Sequence, residues 1–301
     1  MGNIRIILYF FFLPRILFLA HDEAILLEAE NVKKKAGQIV LTGNVIAKTD
    51  EFVLTSKKLL VRDDESVYIA EDNVKINLNN RDVAMACAKC VYNVKERIIS
   101  FFDVEIVFND TAVLTTRYCD YNIDSCCLMY NTYGKIKNNA NIISSNNGRI
   151  CVNSEEIFLS EEVICENEYL CLQCKYFIFG NKDKKAIFKD GIIIKFKKRQ
   201  DLTAMVKKQV VYDAESETFT TDNLTLQNKT MHGYFTGATF YYKQSKINLY
   251  NGIIMNNNIS LTCKDILYDI KKQEIVLKEN PYTFLQNGII FTSKDLHIKN
   301  F

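Results

Sequence analysis

The stretch "LTGNVIAKTDEFVLTSKKLLVRDD", residues 41–64, decides how the rest of the chain reads. Apolar residues lead into Gly43-Asn44-Val45, polar residues follow, and Thr55-Ser56-Lys57-Lys58 opens a second alternating run. The phrase returns as "SLTCKDILYDI" from Ser260 and as "IFTSKDLHIKN" from Ile290. A short phrase rebuilt at both ends of a chain signals an internal repeat.

Two markers give its period. Turn tyrosines fall at Tyr92, Tyr121, Tyr212, Tyr242 and Tyr268, with Val152 and Phe179 as weaker copies in the gap. Bend-forming triplets fall at Gly43-Asn44-Val45, Asp72-Asn73-Val74, Phe102-Asp103-Val104, Asp190-Gly191-Ile192, Asp222-Asn223-Leu224 and Asn251-Gly252-Ile253. Both step by about 30 residues, which predicts roughly nine units.

Behind each bend the chain alternates. Val74, Ile76 and Leu78 are apolar, as are Val104, Ile106 and Phe108, and Ile192, Ile194 and Phe196. Lys75, Asn77, Glu105 and Lys195 stand between them. A period of two is that of a half-buried strand. The bend pairs fold one long strand over two walls, and stacking the units buries a continuous apolar interior. The expected fold is all-β: an elongated array of stacked repeats, on the order of 40 Å long for rungs about 4.8 Å apart. The residues named above, with Val45, Ile253 and Met255, are expected to point inward.

Composition bounds the function. Only two prolines, Pro14 and Pro281, interrupt the 301 residues, and eleven glycines are too few for a flexible linker. The chain reads as one continuous body, residues 21–301, behind an N-terminal segment. A formal charge of +2 gives no electrostatic case for nucleic acid. The 19 Phe and 16 Tyr come without basic clusters; the densest, "KFKKR" at residues 195–199, reads as part of a strand. The N-terminus places Arg5 before an apolar run from Ile6 to Leu13, then Pro14-Arg15 and a second apolar stretch ending at Ala20. That is the plan of a secretory leader cleaved near Ala20 or Ala24, with an uncleaved membrane anchor as the second reading.

Ten cysteines include two CxxC pairs, Cys87/Cys90 and Cys171/Cys174, and the adjacent Cys126 and Cys127. A tetrahedral zinc needs such pairs on converging turns, whereas residues three apart in a strand point to opposite faces. In an oxidising compartment, disulfides between neighbouring rungs are open to them, Cys90 with Cys119 for example; otherwise they serve as small buried hydrophobes. His21, His232 and His297 show no metal spacing, and no nucleophile elbow, phosphate loop or dinucleotide glycine motif occurs. Glu155/Glu156 and Glu161/Glu162 read as solvated turn charges. The expectation is a protein without catalytic residues, metal or cofactor.

Residues 24–61, "AILLEAENVKKKAGQIVLTGNVIAKTDEFVLTSKKLLV", resemble the OstA-like (LptA-type) family of periplasmic lipopolysaccharide-transport proteins. Glu28-Ala29-Glu30-Asn31 and Gly43-Asn44-Val45 carry the likeness, which is strong over the first third of the chain and rests on periodicity beyond it. The resemblance implies a β-jellyroll, or β-taco, whose interior shields acyl chains of lipopolysaccharide or another lipid. It also implies a place in a bridge between the two membranes, built by pairing edge strands with other jellyroll proteins or with further copies of this chain. Greater length and abundant cysteine set this chain apart from the family pattern. The competing classes are an exported surface repeat without cargo and a β-helix enzyme acting on polysaccharide; the latter needs a column of acidic residues that the repeats lack.

Overall fold

A computed structural model describes residues 7–9, 15–20, 23–35, 37–62, 64, 66–79, 81–256, 259–278, 282–285, 290–292 and 295–299. Most of the apolar run of the expected leader lies outside these residues. The chain divides into two compact units, Met1–Asn139 with Asn146–Asn153, and Ala140–Ser145 with Ser154–Phe301.

The first unit opens with β1 (Ile7–Tyr9), β2 (Arg15–Ala20), β3 (Glu23–Glu28) and β4 (Asn31–Lys35). Five long strands follow: β5 (Gln38–Lys48), β6 (Phe52–Arg62), β7 (Val67–Leu78), β8 (Val83–Asn93) and β9 (Ile98–Phe108). Then come β10 (Ala112–Asn122), β11 (Cys127–Tyr130) and β12 (Gly134–Asn138). Next in the chain, β13 (Asn141–Ser145) belongs to the second unit and β14 (Asn147–Cys151) to the first. The second unit continues with β15 (Glu156–Glu166), β16 (Leu170–Gly180), β17 (Lys185–Lys189), β18 (Ile192–Phe196) and β19 (Arg199–Val206). Beyond these lie β20 (Gln209–Asp213), β21 (Thr218–Gln227), β22 (Met231–Tyr241), a 3-10 turn (Tyr242–Gln244), β23 (Lys246–Asn256) and β24 (Ile259–Asp269). It ends with β25 (Glu274–Lys278), β26 (Tyr282–Leu285), β27 (Ile290–Thr292) and β28 (Asp295–Lys299). The long strands pair antiparallel with their sequence neighbours along their whole length, β6 with β5 and β7 for example.

Each long strand bends near its middle, and the backbone does so in two ways. In β5, Thr42 pairs with Lys58 and Val45 with Ser56, so Gly43 and Asn44 stand opposite Lys57 alone. Both have positive φ, +76° and +40°, the two-against-one geometry of a bulge. Gly43 is also closed to a side chain: a Cβ there would overlap Glu30, whose carboxylate accepts from the Asn44 amide. The same two-residue corner recurs at Asp72-Asn73, Glu161-Glu162 and Asp190-Gly191. Asp103, Asn223 and Asn251 instead bend their strands as single left-handed residues, with no shift of register.

The two corners differ in which side chains they send inside. A two-residue corner keeps the parity of the strand: Tyr68 and Ala70 are buried before it, Val74, Ile76 and Leu78 after it. A one-residue corner inverts it: Ile99 and Phe101 are followed by Val104 and Ile106. This overturns part of the sequence reading. Asn251 turns alone, so Gly252 and Ile254 face inward, whereas Ile253 and Met255 are 40% and 37% exposed on the outer face. Phe108 is only half-buried. Glu161 and Glu162 are a corner rather than turn charges, a role hidden because glutamate seldom adopts positive φ.

Opposite the bends, "TSKK" at residues 55–58 and its copy "LTCKD" from Leu261 are corners too, not strand openings, while Ser293-Lys294 of the third copy lie outside the described residues. A carbonyl turned out of the ladder at a bend needs a donor, and a small inward residue supplies it: Ser56 Oγ to Lys58 O at 3.0 Å, Thr116 Oγ1 to Tyr118 O at 3.3 Å. Cys174 and Cys263 occupy the same place, bonding the carbonyls of Tyr176 and Asp265 at 3.2 and 3.1 Å. Part of the cysteine content is thus serine and threonine chemistry carried by sulfur.

The bends fold the ladder onto itself. Nine residues of β6 separate Phe52 from Val61, whose level is shared by Tyr68 and, one strand further, Tyr92. On a flat sheet Phe52 and Tyr92 would lie about 30 Å apart. Their ring centroids are 5.4 Å apart, edge to face. In the second unit Phe196 and Phe240, at opposite ends of their ladder, stack at 5.9 Å. Each unit therefore has two walls facing across an apolar interior, joined by backbone at the corner and open at a mouth where the hairpin turns lie.

Along one lip of each mouth the turns repeat closely. Arg97, Cys126, Glu155, Lys184, Glu217, Ser245 and Gln273 all have positive φ, at intervals of about 30 residues. Five positions before each lies a ring or large aliphatic residue facing inward: Tyr92, Tyr121, Ile150, Phe179, Tyr212, Phe240 and Tyr268. The turn series expected from the sequence is thus shifted at two members, Ile150 replacing Val152 and Phe240 replacing Tyr242.

Candidate functional site: the apolar interior and its mouths

In the first unit one wall presents Val45, Phe52, Leu54, Val74, Ile76 and Leu78, continued by Met85, Val104, Ile106 and Leu114. The facing wall presents Leu59, Val61, Tyr68, Tyr92, Ile99, Phe101 and Tyr121. In the second unit Ile192, Ile194 and Phe196 lie on one wall and Phe177, Phe188, Phe219 and Phe240 on the other. The sequence reading found ten of its twelve interior residues inward or half-inward, all on the wall that follows the bend. The facing wall was missed; its signal is the alternation read backward from each bend with the parity of that corner.

Each interior is closely packed, and its free space lies near the mouth. In the first unit Ile25, Ala47, Phe52 and Leu54 face Leu59, Tyr68 and Tyr92 around a narrow apolar cleft with about 10 Å³ of free space. Further along, Arg81 crosses the mouth, donating to Tyr121 Oη at 2.7 Å and to Cys126 Sγ at 3.0 Å. Burial pushes the Tyr121 hydroxyl pKa up despite this cation, so it stays a neutral acceptor and donor. The lip here is closed by a side-chain clasp.

The mouth of the second unit is a shallow cleft with about 20 Å³ of free space. Its floor is Leu170, Phe196, Phe240 and Ile270. Tyr169 and Tyr242 meet across it, edge to face at 5.4 Å. Lys198 Nζ lies 5.5 Å from the Tyr169 ring centroid and 3.5 Å from Ser245 Oγ. Arg199 donates to Tyr268 Oη at 3.3 Å while a paired contact, 2.8 and 3.0 Å, binds Asp201. "KFKKR" is therefore not strand interior: Lys195 ends outward on β18, Lys197-Lys198 form the hairpin turn, and Arg199 opens β19.

The cysteines are placed otherwise than expected. The disulfide joins Cys127 and Cys151, directly opposite one another on β11 and β14. Cys90 and Cys119 are free, each paired to Phe101, which stands between them. Cys87 and Cys90 are not on opposite faces, because the corner between them inverts parity. Their thiols share a hydrogen bond, which with burial drives the Cys90 pKa up. Among the described residues no group of three or more His, Cys, Asp or Glu is placed to hold a metal ion. None of the described helices is long and apolar enough to cross a membrane.

Bent antiparallel strands stacked in register around an apolar interior make this an all-β, jellyroll-like fold. The profile of the OstA-like protein family matches residues 16–175, more than half of the 301, and the chain belongs to that family. No curated protein matches it.

Proposed function

We propose that this protein is a non-enzymatic carrier of lipopolysaccharide or a related lipid, acting in the periplasm as one element of a bridge from inner to outer membrane. The observation that supports the reading is the interior of each unit: two apolar walls, continuous backbone at the corner, and only side chains across the mouth. The mouth is therefore the side that opens. An acyl chain entering there exchanges wall-to-wall contacts for wall-to-lipid contacts, at about 0.8 kcal/mol for each methylene taken from water. Repeated rungs of similar lining present sites of similar affinity, so cargo advances without a trap. Terminal strand edges pair with other jellyroll proteins of the bridge.

The test is photocrosslinking in membranes that contain the cargo, with native mass spectrometry of the purified protein. Crosslinkers at Ile106 and Ile194 label lipid, whereas those at the outward Lys75 and Lys195 do not. Equal labelling of both faces, or none, overturns the carrier reading and favours a repeat protein without cargo.

A further inference from the structure

Of the two CxxC pairs, one straddles a corner and the other does not. In β16 the corner lies at Lys175, opposite Glu161 and Glu162, so Cys171 and Cys174 both precede it. They stand on a straight run of strand and point to opposite faces. In β8 the corner residue is Ala88, opposite Asp72 and Asn73 on one side and Asp103 on the other. Cys87 precedes it on the inward parity of Met85, and Cys90 follows it on the inward parity of Tyr92. Cys87 pairs with Val104, as Thr116 does from the other side, so it holds the corner place that a hydroxyl fills elsewhere. Cys90 is 1% exposed, whereas Cys87 is only half-buried. The hydrogen bond from Cys90, with a smaller one from the Lys89 backbone, holds the Cys87 thiol below its ordinary pKa in spite of burial.

We propose that Cys87 and Cys90 form a thiol–disulfide exchange site across the corner of β8, with a solvent-borne disulfide as substrate. Such a site is independent of lipid carriage. Cys87 attacks first, because the thiolate is the nucleophile and Cys87 is the more acidic and more exposed of the two. Its sulfur bonds to one sulfur of the incoming disulfide, and the other sulfur leaves as a thiolate that takes up the proton Cys87 released. Cys90 then resolves. Its sulfur attacks Cys87 Sγ, the mixed disulfide breaks, and the second thiolate departs with the Cys90 proton. Two protein thiols are oxidised, and one disulfide is reduced to two thiols. Cys90 has no other partner on its side of the sheet: Cys119 lies beyond Phe101, two strands away. That is about 9.5 Å, too far for a disulfide. The bond between Cys87 and Cys90 braces the angle between the two walls on the rung of β8.

The experiment exposes the full chain to oxidised glutathione, stops the reaction at intervals with an alkylating agent, and maps every cysteine by mass spectrometry. Trypsin cuts after Lys89, so a Cys87–Cys90 bond is read as two joined peptides. The wild type is expected to lose free Cys87 at least about tenfold faster than free Cys174, and to end with Cys87 joined to Cys90. Cys90→Ala stops at the mixed disulfide, with glutathione retained on Cys87. Cys87→Ser, which gives β8 the corner residue that β6 carries at Ser56, leaves Cys90 unreacted. Circular dichroism of both variants confirms folding, and the wild type alone supplies the deciding readouts if either fails to fold. Glutathione that stays on wild-type Cys87 shows that Cys90 does not resolve it, and overturns the pair. So does a Cys87 that reacts no faster than Cys174 or ends joined to another cysteine. A Cys171–Cys174 bond that forms as readily overturns the role given to the corner. Lipid labelling is read separately, so none of these outcomes decides the carrier reading.

Discussion

The mouths of the two units are built from the same repeat and closed by different chemistry. In the first, a guanidinium is spent on a buried phenol and a thiol, and the seam is sealed. In the second, guanidinium and carboxylate satisfy each other, the rings of Tyr169 and Tyr242 bridge the lips, and Lys198 lies over the Tyr169 ring. The walls carry stability in both units, while the lips are free to specialise. A repeat fold therefore separates what holds it together from what it recognises.

That separation is broken most severely by attacking the walls. Ile76→Ala in the first unit and Ile194→Ala in the second, 0% and 2% exposed, are each expected to cost about 2–5 kcal/mol by chemical denaturation. Equal cost in both units supports the separation, and a cost in only one refutes it. Next in size is the clasp. Arg81→Ala strips a buried hydroxyl and a thiol of their partner and lowers stability by about 1–3 kcal/mol. Lys198→Ala, with an exposed side chain, changes the melting temperature little. If Lys198→Ala destabilises as much as Arg81→Ala, the two lips do the same job.

A third test concerns the corners. Ile254→Ser is expected to lose about 2–4 kcal/mol, whereas Ile253→Ser and Met255→Ser on the outer face stay within about 0.5 kcal/mol. Unfolding curves of the three variants decide whether one left-handed residue sets the facing of the strand behind it. The smallest effect is a pH response confined to the second mouth. The hydrogen bond with Arg199 holds the Asp201 carboxyl below its ordinary range. Its contribution is therefore complete above the unfolded carboxylate pKa, near 4, and lost as pH falls through the lower folded value. Because the pair is partly exposed, the loss is less than about 1 kcal/mol. Melting temperatures of wild type and Asp201→Asn, compared at pH 6 and pH 3, should differ at the former and converge at the latter.

Much of this was legible in the residues. Asn, Asp and Gly announce positive φ, so the bend triplets and the alternation behind Asp72-Asn73 and Asp190-Gly191 could be read directly. What the sequence hid has specific causes. Glu161-Glu162 bends a strand with residues that carry no such signal. Asn251-Gly252 looks like Gly43-Asn44, yet only Asn251 has positive φ, and that one dihedral sent Ile253 and Met255 outward. The Cys127–Cys151 bond depends on register between strands 24 residues apart, which no local pattern encodes. "KFKKR" alternates like a strand, so its hairpin was invisible until its neighbours on β16 and β19 were placed. The place of Lys198 at the lip fell with it.

The thiols at the corners bear on the life of the chain before it folds its last strand. Cys174 and Cys263 are buried and bonded to carbonyl oxygen, and burial pushes the Cys174 pKa up to about 12. The Cys174 sulfur is therefore a protonated thiol at any physiological pH, and it is the thiolate that oxidises and exchanges. Burial at the corner thus removes Cys174 from thiol exchange in the folded protein, one competitor fewer for the Cys127–Cys151 bond.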